Sequence, residues 1–269
     1  MRISVIEPHG FCAGVTGALK KALAMPGGAY CLHGLVHNEL VVAALGRRGM
    51  KFVESLGEVP RGATVLFSAH GVAPSVRAAA AARGLSVVDA TCPFVARVHA
   101  AARAFAERGL PVVVVGKADH AEVKGIVGEV EDAGGRAYVH PDLPDAGKVG
   151  VVSQTTMNAD EVEATVAELR RRFEVEALAE VCGATRDRQR AVKAFGGDAL
   201  LVLGSASSSN TRRLCEVAPC RALMAATMEE VRALDLSGIG VLGVTSGAST
   251  PEDFFAEAVR HLKGKAECT

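Results

Sequence analysis

Short, continuous apolar runs alternate with alanine-rich stretches of helical spacing along nearly the whole chain, and this alternation limits the possible folds more than any other feature. Runs such as Val112–Val115 and Ala199–Leu203 carry no polar residue on either side of the pleat. Strands buried on both faces of a parallel sheet read this way. Further runs of this kind are Ile3–Ile6, Thr64–Phe67, Ser86–Asp89, Val149–Ser153 and Gly240–Val244. Helical spacing covers Val15–Ala24, Glu39–Arg48, Pro74–Arg83, Val95–Arg108, Ala159–Phe173, Thr185–Ala194, Ser209–Val217, Met228–Leu234 and Pro251–Lys263. Asn158 is placed to cap one helix, and Pro251 suits the first turn of another. Asp132–Lys148, rich in Gly, Pro and Asp, reads as a loop. The expected class is α/β.

Seven cysteines among 269 residues form neither a dense nor an even framework, so a secreted disulfide scaffold is excluded. In a reducing compartment such thiols serve as metal ligands, nucleophiles or small core residues. The first residues, Arg2–Ile6, look like a strand and not a signal peptide, and no apolar run approaches a membrane span. A cytoplasmic protein without a membrane partner is expected. Thirty basic residues balance thirty acidic ones with no basic block, which argues against a nucleic-acid partner.

Three cysteines occupy similar places: Cys12 in Gly10-Phe-Cys-Ala-Gly14, Cys92 in Asp89-Ala-Thr-Cys-Pro93, and Cys182 in Val181-Cys-Gly-Ala-Thr185. Each lies just before a helical run, where free N–H groups and the helix dipole favour a thiolate. Loops at the carboxyl ends of parallel strands converge, so three of them can deliver three thiols to one point. Three thiolates without a fourth suit an iron–sulfur cluster with one iron left open. Spacing alone leaves three unrelated core cysteines equally open. Structural zinc is disfavoured, because closely spaced ligand pairs are missing. Cys31, Cys215, Cys220 and Cys268 receive no role. The cysteine separations suggest a single unit, 1–269, of three pseudo-repeated modules at approximately 12–91, 92–181 and 182–269, with the N-terminal strand in 1–11 joining the last.

Polar constellations follow several strand runs. They are His37-Asn38, Ser68-Ala-His70-Gly71, His120-Ala-Glu122, Ser153-Gln-Thr-Thr156, the loop Gly204–Asn210 and Thr245–Thr250. Small residues, hydroxyls and free helix N–H groups suit phosphate oxygens. Neither serine-rich loop is a P-loop, and no GxGxxG is present, so a diphosphate fits better than a nucleotide. Glu122 is the best acid–base candidate, since it shares a loop with His120.

Together these motifs resemble the LytB (IspH) family of 4-hydroxy-3-methylbut-2-enyl diphosphate reductases. The resemblance runs from about Ile3 to about Leu262. It rests on Gly10–Val15, Val36-His-Asn38, Phe67–Val72, Asp89–Pro93, His120-x-Glu-Val-x-Gly125, Ser153–Thr156, Cys182-x-Ala-Thr185 with Arg188-Gln189, Ser208-Ser-Asn210 and Gly247-Ala-Ser249. It implies a trefoil of three αβα modules around one central [4Fe–4S] cluster per chain, held by Cys12, Cys92 and Cys182. It implies an allylic diphosphate substrate whose hydroxyl is removed reductively as water, giving isopentenyl and dimethylallyl diphosphates. Electrons would come from ferredoxin or flavodoxin. Glu122 matches the proton source and Thr155 its relay partner. His37, His70, His120, Ser208, Ser209, Asn210 and Ser249 match the diphosphate cradle, and Thr185 a hydroxyl near the substrate. Departures are His9 for Arg, Thr16-Gly17 for Asp-Arg, Gly34 for Glu, Lys117 for His, Ala121 for Pro and Gly183 for an aromatic. Two other readings stay open: a paralogue acting on another small diphosphate, and a non-catalytic iron–sulfur sensor or binding protein.

Overall fold

A computed structural model describes residues 1–267; Cys268 lies outside the described residues. Along the chain, β1 (Arg2–Val5) leads through Cys12 into α1 (Ala13–Leu23). There follow β2 (Tyr30–Leu32), α2 (Glu39–Arg47), β3 (Lys51–Val53), β4 (Thr64–Phe67), α3 (Pro74–Ala82) and β5 (Ser86–Asp89). Next come α4 (Pro93–Glu107), β6 (Val112–Val115), α5 (Ala121–Asp132), β7 (Ala137–Val139), β8 (Lys148–Ser153), α6 (Ala159–Leu169) and β9 (Glu174–Leu178). The remainder is α7 (Gly183–Lys193), β10 (Ala199–Leu203), α8 (Ser209–Glu216), β11 (Arg221–Ala225), α9 (Met228–Ala233), β12 (Val241–Ser246) and α10 (Glu252–Glu267).

The strands form three four-stranded sheets, each with parallel pairing throughout. Their orders are β3-β2-β4-β5, β7-β6-β8-β9 and β11-β10-β12-β1. All three have the same order when strands are counted from β2, β6 and β10: second, first, third, fourth. In the last sheet the fourth place is filled by the N-terminal strand. The expected α/β class with a threefold repeat is therefore present as topology, even though sequence similarity among the thirds is weak.

The chain forms two compact units. One comprises Met1–Val15, Val36–Ala43 and the chain from Gly183 onward, and it contains the sheet of β1, β10, β11 and β12. The other comprises Thr16–Leu35 and Ala44–Cys182, and it contains the remaining two sheets. Side chains alternate across each strand. In β6, Val113 and Val115 pack with Val162, Val166 and Leu169 of α6. Val112 and Val114 face the other way, onto Val98 and Ala102 of α4 and Ile126 and Val130 of α5. In the other unit, Leu201, Leu203 and Val244 pack on Phe254, Phe255 and Leu262 of α10, while Leu200 and Val202 meet Val192 and Leu214. These layers are filled almost wholly by aliphatic side chains.

Several elements depart from expectation. β3, β7, β9 and β11 are edge strands: β3 and β7 are only three residues long, β9 is broken by Glu174 and Glu176, and β11 carries only the short run Ala222–Ala225 behind Arg221. β7 lies inside the stretch read as loop. β2 is central but only three residues long. Helix α5 was not expected either, because Gly125, Gly128 and its valines depress helix propensity. Asn158 caps α6, accepting the Asp160 N–H at 3.1 Å. Pro251 stands one residue before α10, not in its first turn, and its carbonyl accepts the Phe255 N–H at 3.1 Å.

Candidate active site

The shared strand order gives every proposed site loop an equivalent address. The first strands, β2, β6 and β10, are followed by His37, His120 and Ser208. The third strands, β4, β8 and β12, are followed by His70, Thr155 and Ser249. The fourth strands, β5, β9 and β1, are followed by Cys92, Cys182 and Cys12. Parallel sheets bind ligands beyond the carboxyl ends of their strands, where the order reverses between first and third. The anion-binding candidates stand at those reversal points, and the thiols stand one strand further on.

Each of the three cysteines immediately precedes a helix: Cys12 before α1, Cys92 before α4 and Cys182 before α7. Cys12 Sγ accepts the Val15 N–H at 3.5 Å. Cys92 has extended backbone at the N-cap, with Pro93 in the first turn. Backbone bonds fix the three loops: Cys12 N–H to Ala248 O at 3.1 Å, Cys92 N–H to Ala69 O at 3.0 Å, and Cys182 N–H to Thr155 O at 3.0 Å. All three are half-buried. Cys31, by contrast, is fully buried within β2, and burial pushes its thiol up to about 12. Burial likewise raises Cys215 to about 11, helped by Glu216. The donor set thus divides into three helix-start thiols that fit a metal centre and core thiols that stay protonated.

In the unit containing β10, Ser208 caps α8 by accepting the Thr211 N–H at 3.3 Å. Buried Asn210 donates to Thr185 Oγ1 at 3.1 Å and accepts the Ala248 N–H at 3.2 Å. It therefore joins α7, α8 and the loop after β12. Ser249 donates to the His37 carbonyl at 3.2 Å. Burial, reinforced by Arg212 and opposed by Glu39, lowers the His37 pKa below its usual value. Ser209 is buried in the first turn of α8. Glu39 accepts hydrogen bonds from Ser205 and Ser207, fastening the serine loop to the start of α2.

In the other unit, His120 caps α5, its Nδ1 accepting the Glu122 N–H at 3.2 Å. His70 meets His120 edge to face, with ring centroids 5.5 Å apart. Glu122 is 1% exposed. Its carboxylate accepts the Thr155 N–H at 2.7 Å and the Thr155 hydroxyl at 3.1 Å. Burial nonetheless pushes the carboxyl up to about 7, against both hydrogen bonds. A group with that pKa holds or yields a proton at neutral pH, as a general acid requires.

Sequence reasoning gave no role to Arg188, although it is only 3% exposed. It donates to Gly10 O at 2.8 Å, Ala184 O at 3.0 Å and His9 O at 3.4 Å, tying α7 to the loop that carries Cys12. Its helix is strongly polar and reads as a solvent face, so only the fold reveals the burial. Gln154, fully buried, accepts the Lys117 N–H at 3.1 Å and donates to Thr156 at 2.9 Å, holding the loop after β6. The departures are accommodated locally. His9 stacks on Phe255 at 3.8 Å and lies 3.0 Å from Glu7. Ala121 opens α5, a position that tolerates either Ala or Pro. Gly183 is exposed at the start of α7, and a Cβ there would meet nothing within 4 Å.

Fold and site define an α/β protein with histidine- and hydroxyl-bearing loops at the strand reversals and thiols at the helix starts. The family described as LytB protein matches residues 3–263, and the chain belongs to that family. It is 41% identical to a 4-hydroxy-3-methylbut-2-enyl diphosphate reductase of Magnetococcus marinus, over 97% of this chain and 91% of the relative. It is 40% identical to the Thermus thermophilus reductase of the same name, over 98% and 88%. Among solved structures, the E-1-hydroxy-2-methyl-but-2-enyl-4-diphosphate reductase of Plasmodium falciparum superposes with a TM-score of 0.89 at 30% identity, covering 97% of this chain and 87% of that one. A second structure, of (E)-4-hydroxy-3-methyl-but-2-enyl diphosphate reductase, described as the terminal enzyme of the non-mevalonate pathway, gives 0.70 at 32% identity, covering 98% and 100%.

Proposed function

We propose that this chain is a 4-hydroxy-3-methylbut-2-enyl diphosphate reductase, yielding isopentenyl and dimethylallyl diphosphates in the last step of the methylerythritol phosphate route. The observation that carries the reading is the equivalence of the three cysteine addresses in the fold; a buried carboxyl tuned to neutral pH supports it. Cys12, Cys92 and Cys182 are the residues that would hold a [4Fe–4S] cluster, one per chain. When bound, the cluster supplies electrons and one iron with an open position for a substrate oxygen.

The protein's own groups do the rest. His37, His70, His120, Ser208, Ser209, Asn210 and Ser249 bind and orient the diphosphate, and Thr185 contributes a hydroxyl beside it. Asn210, already bonded to Thr185 and to the backbone at Ala248, presets that side of the cradle. The reaction takes up two electrons and two protons. The carbon–oxygen bond breaks, the oxygen leaves as water, and a carbon–hydrogen bond forms. Glu122 is the buried group that holds a proton at pH 7, and the Thr155 hydroxyl at 3.1 Å is its outlet. A sensor would have no use for such a pair. The electron donor is a ferredoxin or flavodoxin. No helix among the described residues is long and apolar enough to cross a membrane, and we place the reaction in the cytoplasm, where the thiols stay reduced.

Expression of the chain in a bacterium depleted of its own reductase tests this reading. Growth is expected to return with the parent chain and not with Glu122→Gln. Failure of a well-expressed, iron-loaded parent would contradict the assignment.

A further inference from the structure

His99, in the middle of α4, lies outside the cradle, yet its ring touches both segments that carry the cradle's histidines in its unit. It is 5% exposed. On one side is Gly71, the residue after His70, with a left-handed φ of +74°. A Cβ at Gly71 would lie 3.0 Å from His99 Cε1 and 3.3 Å from Nε2. On the other side is Gly125, in α5, one turn beyond Glu122. A Cβ there would lie 2.6 Å from Cε1 and 2.9 Å from Nε2. At Gly125 a side chain would force the ring to move, and at Gly71 it would crowd the ring and sit on a left-handed backbone. The remaining ring nitrogen, Nδ1, lies 3.5 Å from Glu129 Oε1, and Arg103 approaches the same carboxylate at 3.4 Å. Among the described residues Nε2 has no hydrogen-bond partner. A phenylalanine would fill the slot without burying that nitrogen; what the imidazole adds is the anchor to Glu129 on the third turn of α5.

We propose that His99 is a positioning residue for substrate binding: wedged between Gly71 and Gly125 and tied to Glu129, it sets the spacing between the loop of His70 and the helix of His120 and Glu122. The 5.5 Å meeting of His70 and His120 is the product of that spacing. The inference rests on the reading that these two histidines hold the diphosphate.

Binding of inorganic diphosphate to the anaerobically purified, cluster-loaded protein tests it by calorimetry, with iron content and thermal unfolding measured alongside. His99→Ala removes the spacer, and Gly125→Ala pushes it outward. Each single change is expected to weaken diphosphate binding about tenfold, a cost of about 1.4 kcal/mol, with iron content unchanged. In the double variant the new methyl occupies part of the vacated slot, so binding is expected to recover toward the parent value. Because residues in contact also couple in stability, binding is measured well below the unfolding temperature of every variant, where a general loss of stability leaves diphosphate affinity unchanged. Singles that lower the unfolding temperature without changing diphosphate affinity, or a double variant weaker than both singles, would overturn the proposal. Should His99→Ala not fold, His99→Gln replaces it and must show the same weakening. His70→Ala separates the two levels. If it weakens binding while the His99 variants do not, only the positioning role fails. If it changes nothing, the cradle assignment fails and the positioning role with it.

Discussion

Glu122→Gln is expected to lower kcat by about 10²–10⁴, the range for losing a general acid, while iron content and diphosphate affinity stay at parent values. The substitution is nearly isosteric. A glutamine carbonyl can still accept the Thr155 N–H, now 2.7 Å from the carboxylate, and its amide can face the Thr155 hydroxyl. Only the transferable proton is lost. With the carboxyl near 7, parent turnover should fall as pH rises through about 7, and the variant's residual turnover should lack that step. Stability gives an independent check. The folded-state pKa lies above the ordinary 4.5, so the folded protein binds the extra proton between those values. The stability it confers is complete below about 4.5 and is lost as pH rises through about 7, by on the order of 3 kcal/mol. Thermal unfolding of the variant should therefore gain on the parent between pH 5 and pH 8. A variant that keeps full turnover would remove Glu122 from the proton path.

Replacing Cys12, Cys92 or Cys182 singly by serine is expected to strip most iron and acid-labile sulfide from the anaerobically prepared protein and to abolish its visible charge-transfer absorption. A hard hydroxyl is a poor substitute for a thiolate on iron. Cys31→Ala should behave differently, since that thiol is buried in β2 and raised to about 12. It should retain iron and lose stability through the cavity it leaves, by about 1 kcal/mol. Iron analysis and thermal unfolding of the four variants separate ligands from core. Equal iron in all four would contradict the ligand assignment, and loss confined to one of the three would leave the cluster without its shared site.

Much of this was legible in the sequence because central parallel strands announce themselves. The runs at 64–67, 112–115 and 199–203 coincide with the central strands β4, β6 and β10. The loops that follow such strands hold the candidate residues, which is why a scan for polar groups just past apolar runs found His70, His120 and Ser208. Of the edge strands, β1 and β5 showed as the runs Ile3–Ile6 and Ser86–Asp89, whereas β3, β7, β9 and β11 stayed hidden. β9 reads Glu174-Val-Glu-Ala-Leu, half solvated, and Arg108 and Lys148 pair with its Glu176. Helix α5 stayed hidden for a functional reason. Gly125 weakens the helical pattern, and its missing side chain is what admits the His99 ring. Arg188 and His99 sit in helices whose sequences offer no sign that an interior position is polar. Their roles follow from which loops the fold brings against them, and spacing along the chain does not carry that information.

Anaerobic turnover of 4-hydroxy-3-methylbut-2-enyl diphosphate by the reconstituted protein, with a chemical reductant and product analysis, tests the central claim most directly. The expected result is consumption of the substrate with formation of both isopentenyl and dimethylallyl diphosphates. An intact cluster with no turnover of this substrate would contradict it, and would point to a paralogue that uses the same site for another small diphosphate.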